Sequence, residues 1–188
     1  MSLPTAVKEA DSVLVSGPPL SGLYPVFHRV LTARSDRPII VSTGRTARRV
    51  RADRDRIVGS DGAVIIECAS GPTDGAADRI ATAGNLTEIG VELTEAAEGA
   101  EGTRSAVGIH SLSELLMYGE TETVYRFLTV SISLARAEDW PVVATMVPAV
   151  DPEATRSLTE PFDCRIETRR EDGSEFRVGD GDWLSVAD

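Results

Sequence analysis

An apolar run from Ser12 to Ser16 (SVLVS) leads into Gly17-Pro18-Pro19-Leu20-Ser21-Gly22-Leu23-Tyr24, and helix-like spacing of Val26, Val30 and Leu31 follows. Glycine, four residues and a second glycine between a strand and a helix form the frame of a phosphate-binding loop, whose full pattern is GxxxxGK[ST]. Such a loop turns its amides inward around an anion, and the helix start adds a favourable dipole. The lysine and hydroxyl that complete the pattern are replaced by Leu23 and Tyr24. Lysine contacts the β and γ phosphates and the hydroxyl ligates magnesium, so the replacement removes the main charge and a metal ligand together. By itself, the segment reads as a plain strand-to-helix turn as readily as a degenerate phosphate site.

Arg45, Arg48, Arg49, Arg51, Arg54 and Arg56 put six guanidinium groups into a short stretch interrupted by Asp53 and Asp55. This is either an anion or nucleic-acid patch, with Arg45 reaching toward the glycine loop, or a solvated helix whose charges pair with one another. No aromatic residue interleaves the run, so base stacking lacks a platform. His110 could act as a switch, a ligand contact or a structural residue, whereas His28 reads as a half-buried packing residue on the first long helix. Ser111 and Glu114 lack the G-x-S-x-G turn of a hydrolase nucleophile. Cys68 and Cys164 sit apart in strand-like apolar contexts, and their expected role is that of small buried hydrophobes without metal. The residues from Leu115 to Phe127, rich in Leu, Met, Tyr and Phe, predict core with a subunit contact.

Elements must position these groups. Ser12 to Ser16, Pro38 to Thr43, Ala63 to Cys68, Ala106 to Ile109 and Pro141 to Val147 are apolar runs typical of strands buried on both faces of a parallel sheet. Helical spacing links them: after the first run, from Leu115 to Leu134, and from Asp151 to Leu158, where Asp151-Pro152-Glu153 is a helix start. Asn85 to Glu98 opens with a capping-box arrangement of Asn85 and Glu88. Gly71 to Gly75 and Glu98 to Gly102 are expected loops. Near the end, Arg165 to Thr168 and Glu175 to Val178 flank the turn-rich Glu171-Asp172-Gly173-Ser174 and predict an antiparallel hairpin, with Trp183 to Val186 as a last strand. The pattern predicts one α/β domain over 1–188, three-layered around a mostly parallel central sheet, with a C-terminal β-hairpin over about 162–188.

The 188 residues suit one core, and 30 acidic against 19 basic residues leave a net charge of −11. Lys8 is the only lysine. Acid excess with lysine depletion predicts a salt-adapted, haloarchaeon-like cytoplasm, because carboxylates hold water at high salt while the lysine stem exposes hydrocarbon. In such a proteome net acidity does not exclude nucleic acid. No run approaches the roughly 18 apolar residues of a membrane span, so the expectation is a cytoplasmic protein without a membrane partner.

Taken together, Gly17 to Gly22 after its strand, Gly108-Ile109-His110-Ser111-Leu112-Ser113-Glu114-Leu115-Leu116-Met117-Tyr118, and Val124-Tyr125-Arg126-Phe127-Leu128 resemble RecA/KaiC-like P-loop ATPase domains, especially short haloarchaeal ones. The resemblance covers most of the chain and implies a nucleotide site at Gly17, Ser21, Gly22, Leu23, Tyr24, Arg45 and His110. It also implies a magnesium-holding aspartate after the fourth apolar run, where this chain has His110, and a catalytic glutamate after the second run, where it reads Ser42-Thr43-Gly44-Arg45. With lysine, aspartate and glutamate all absent, ATP hydrolysis is not expected, since one such group supplies several kcal/mol of transition-state stabilisation. The expected function is a non-catalytic regulatory or protein-binding module, without a metal or catalytic residues, keeping at most weak binding of ATP, ADP or another anion. The alternatives are an unconventional ATPase using Arg45 and a nucleic-acid-associated protein. Expected partners are a protein or further copies of the chain, with the face around Leu23 and Tyr24 covered by the chain itself or by a second subunit.

Overall fold

The computed structural model describes residues 3–59, 62–148, 151–171 and 173–186. Strands β1 (Ser12–Ser16), β2 (Ile39–Ser42), β3 (Val64–Ala69), β4 (Arg79–Thr82), β5 (Val107–His110), β6 (Val142–Met146), β7 (Cys164–Arg170), β8 (Ser174–Val178) and β9 (Leu184–Ser185) form one sheet in the order β4-β3-β2-β5-β6-β1-β7-β8-β9. Pairings from β4 to β7 are all parallel; β7–β8 and β8–β9 are antiparallel. The expected α/β class, mostly parallel sheet and C-terminal hairpin are all present. Asp172 of the expected turn lies outside the described residues.

Helices cover both faces. On one side α1 (Thr5–Glu9), α2 (Leu23–Arg34) and α3 (Ala47–Val58) pack on Val13, Val15, Ile40, Ile65 and Val143. On the other, α4 (Leu86–Glu98), α5 (Leu112–Leu115), α6 (Thr121–Ala137) and α7 (Pro152–Thr159) pack on Leu14, Ile39, Val41, Val107 and Ala144. Alternate residues of each strand therefore feed opposite cores, the reason these runs are mostly apolar on both faces.

Local chemistry sets the helix ends. Thr46 caps α3 by accepting the Arg49 amide, and Gly59 ends it in the left-handed conformation. Asp151 caps α7, with Pro152 in its first turn. Asn85 caps α4 by accepting the Glu88 amide, but the carboxylate of Glu88 accepts from the Thr82 amide instead of closing the box on Asn85. The α2 helix sits close to the sheet: a Cβ on Gly108 of β5 would lie 2.8 Å from both Leu31 and Phe27.

Three expectations are corrected. Arg79–Thr82 is a strand that the sequence reading left out, because its edge position buries only Ala81 and its outward residues are polar or isolated. The helix expected from Leu115 to Leu134 is two helices, broken where Met117 and Tyr118 stand 77% and 54% exposed; these two are not core. His28 is fully buried, not half-buried, since α2 turns it under the ring of Tyr24.

Candidate functional site

The glycine loop lies where its frame places it, between central β1 and the start of α2. Its interior is filled by the chain itself. Ser21 is fully buried; its hydroxyl donates to the Pro18 carbonyl at 2.7 Å and so accepts from the Thr168 hydroxyl of β7 at 2.5 Å. A Cβ on Gly17 would stand 2.3 Å from the Thr168 hydroxyl and 2.4 Å from its carbonyl oxygen. Gly22, at φ 100°, is overlain by the hairpin: a Cβ there would be 2.9 Å from Ser174 and 3.4 Å from Val186. The Thr168 hydroxyl and carbonyl thus close over the loop, and Gly17 and Ser21 do not face solvent.

Beside the loop opens a cleft of about 750 Å3 at the carboxyl edge of the parallel strands. Gly22, Leu23 and Tyr24 line it from the first turn of α2, and Arg45 joins from the β2–α3 turn. His110 lines it from the end of β5 and Thr145 from β6. Leu20, 81% exposed at φ 64°, stands at its rim. Of the implied nucleotide-site residues the cleft gathers Gly22, Leu23, Tyr24, Arg45 and His110, and it adds Arg49, Arg56, Ser111 and Glu114 from the other candidates. The chain covers part of Tyr24 but leaves this mouth open, so the chain by itself does not cover the face around Leu23 and Tyr24.

The floor is a set of rings. Tyr24 meets His28 edge-on at 4.2 Å and His110 edge-on at 4.7 Å, while Phe27 meets His28 at 5.1 Å and His110 at 5.7 Å. The Arg45 guanidinium lies 4.2 Å above the Tyr24 ring. Burial disfavours charge on these groups. It raises the Tyr24 hydroxyl above its usual value, and it lowers His110 to about 4, helped by Arg45. His28 falls to about 2 through burial first and then the positive Arg54, whose guanidinium nitrogen lies 3.3 Å from His28 Nδ1. Both rings are neutral at physiological pH.

The wall is α3. Asp53, 3% exposed, receives Arg45 at 3.0 Å and Arg49 at 3.0 Å on one oxygen and Arg56 at 3.3 Å on the other. Arg54 is 1% exposed. The arginine-rich stretch is therefore neither solvated all round nor wholly self-neutralised. The α3 N-terminus is already taken, because the Ala47 amide donates to the carboxylate of Glu67 at 2.6 Å. Arg48 and Arg51 point elsewhere, to Asp74 and Asp78.

A carboxylate also reaches the Ser42–Arg45 turn from outside it. Thr43 donates its hydroxyl to Glu114 at 2.8 Å, and the Glu114 carboxylate lies directly against Gly44. Thr43 also accepts the Ser111 amide at 2.7 Å, next to the cis His110–Ser111 peptide. Sequence spacing gave no hint of Thr168, Thr145 or Glu114 in these roles, since each reaches the site from a segment distant in sequence; Asp53 was signalled by the Arg and Asp alternation of α3. Among the described residues no cluster of His, Cys, Asp and Glu is arranged to hold a metal ion, and no helix is long and apolar enough to cross a membrane. Residues 10–168 match a family of unknown function, DUF7504. No curated protein matches the chain.

Proposed function

The chain belongs to the DUF7504 family of unknown function, and from its geometry we propose that it is a non-catalytic, RecA/KaiC-like binding module whose working site is the open cleft and not the glycine loop. The single observation that carries this reading is the closed loop: Thr168 presses on Gly17, Pro18 and Pro19 carry no N–H, and the Gly17 and Ser21 amides are taken by the Met146 and Pro18 carbonyls. The resemblance is supported by the central position of β1, its parallel neighbours on both sides, and the glycine loop at its carboxyl edge before α2. In open α/β sheets that edge is where ligands bind.

Catalysis lacks its parts. Leu23 and Tyr24 supply neither charge nor metal ligand at the loop, and His110 is a neutral ring packed on Tyr24. Arg45 is held over Tyr24 and against Asp53, lining the open cleft and not the glycine loop, which speaks against its substituting for the missing lysine there. Glu114 is spent on the Thr43 hydroxyl. The cleft binds, and Leu20 at its rim offers an exposed apolar contact through which a bound state can be read by a protein partner.

The test is an ATPase assay with magnesium in molar KCl, paired with titrations of ATP and ADP. The expected result is no turnover above a blank and no magnesium-dependent tightening of nucleotide binding. Turnover that vanishes in Arg45→Ala would replace this reading with the unconventional hydrolase.

A further inference from the structure

In a chain of net charge −11, the α3 wall of the cleft stands out by its sign. Three guanidinium groups, those of Arg45, Arg49 and Arg56, share the single carboxylate of Asp53, leaving two positive charges in excess. Each guanidinium carries five N–H donors and spends one of them on Asp53. The side chains are 36%, 63% and 68% exposed, so their other donors are within reach of a ligand in the cleft. Planar guanidinium forks are matched to phosphate oxygens.

A second, independent observation comes from the floor. Thr145 is 2% exposed and lines the same cleft, and its hydroxyl has no hydrogen-bond partner among the described residues. The Tyr24 hydroxyl and His110 Nδ1, also lining the cleft, share that condition. Buried polar groups are nearly always partnered. Three unpartnered ones beneath one cleft mark a place built for the polar atoms of a guest.

We infer that the cleft takes a small phosphate monoester, its phosphate on Arg45, Arg49 and Arg56 and its uncharged organic part over Tyr24, His110 and Thr145. A monoester carries a charge of about −1.5 to −2 at neutral pH, which balances the excess on α3. A bare carboxylate would leave a positive charge unmatched. Glu114 lines the cleft from α5, and its charge turns the anionic end of the guest toward α3. The volume of about 750 Å3 suits a small molecule and not a folded partner. This inference rests on the reading of the cleft as a binding site, and it moves the anion off the glycine loop.

Calorimetric titration of the intact chain with AMP and with glucose 6-phosphate, against adenosine, glucose and inorganic phosphate, tests it. The expected result is that at least one monoester binds, that its dephosphorylated counterpart does not, and that inorganic phosphate binds more weakly. The Arg49→Ala/Arg56→Ala double variant should weaken the monoester by about tenfold or more. Thr145→Val, of similar shape, should weaken it by a few-fold, and the remote Arg126→Ala should change nothing. Equal binding of ester and counterpart, phosphate binding as tightly as the ester, or an unaffected double variant would overturn the inference. No binding by either monoester, with ATP turnover also absent, would overturn it while leaving the proposed function in place. Magnesium-dependent ATP turnover would overturn the proposed function without touching the monoester result.

Discussion

Two loops leave the carboxyl edge of one sheet toward the same helical layer, and they have opposite characters. The Gly17–Gly22 loop is closed: Pro18 and Pro19 carry no N–H, the Gly17 and Ser21 amides donate to the Met146 and Pro18 carbonyls, Thr168 presses on Gly17, and Ser174 with Val186 lies on Gly22. The β2–α3 turn is open and leads into a wall of guanidinium groups around one buried carboxylate. What distinguishes them is where each polar group finds its partner. The closed loop satisfies itself with hydroxyls from the chain, so it gains nothing from an anion. The open wall has more donors than acceptors, and its exposed guanidinium groups turn the rest toward solvent.

The ring floor lies between the two regions, and acid is expected to break it with the largest effect. His28 and His110 are held neutral, with pKa values lowered from 6.5 to about 2 and about 4. The unfolded chain takes up protons below about pH 6.5 that the fold excludes, so this stability is present above that pH and is lost as pH falls. At pH 5 each ring should have cost about 2 kcal/mol. Urea melts at neutral pH and at pH 5 should show the loss, and a His28→Asn/His110→Asn variant should show a flatter profile over that window. An equally steep profile in the variant would assign the acid sensitivity to carboxylates.

Next in size is the closure of the glycine loop. Gly17→Ala should destabilise by about 3 kcal/mol, because the new methyl meets a backbone carbonyl as well as the Thr168 side chain and a backbone cannot step aside cheaply. A neutral Gly17→Ala would mean that the loop is more open than its contacts say. Thr168→Val removes one hydroxyl from the loop interior and should cost about 1 kcal/mol. If Thr168→Gly gained affinity for ATP, the closed loop would be a plugged phosphate site, and the contrast between the two loops would reduce to one side chain. The smallest effect belongs to the wall: Arg49→Ala should shift stability by less than about 0.5 kcal/mol, since its exposed guanidinium is one of three on Asp53. A much larger loss would make the cluster a structural clamp.

The strands buried on both faces were legible because their residues feed two cores and leave no polar gap; β1, β2, β3, β5 and β6 all carry this signature. The hairpin was legible from its turn residues, and the glycine frame from its spacing. The edge strand β4 was not, since an edge needs to bury only one residue in four. At the site, Gly22, Leu23, Tyr24, Arg45 and His110 were within reach of sequence reasoning because each lies at the carboxyl end of a recognisable strand or in the connection that leaves it. Thr168 was not: its role depends on β7 lying beside β1, a pairing that nothing local to either strand encodes. Glu114 escaped for the same reason, as its contact with Thr43 crosses from β2 to the segment after β5.

The central place of β1 has a consequence for how the chain is made. Its neighbours are β6 on one side, beginning at Val142, and β7 on the other, beginning at Cys164. During synthesis β1 emerges before either of its neighbours and waits, with both hydrogen-bonding edges bare, until β6 and then β7 have left the ribosome. Parallel pairing over such separations is slow to form. A nascent chain in that interval presents an apolar strand with two free edges, a template for wrong partners. Its assembly should therefore depend more on the speed of translation and on chaperone capture than the stability of the finished sheet would suggest.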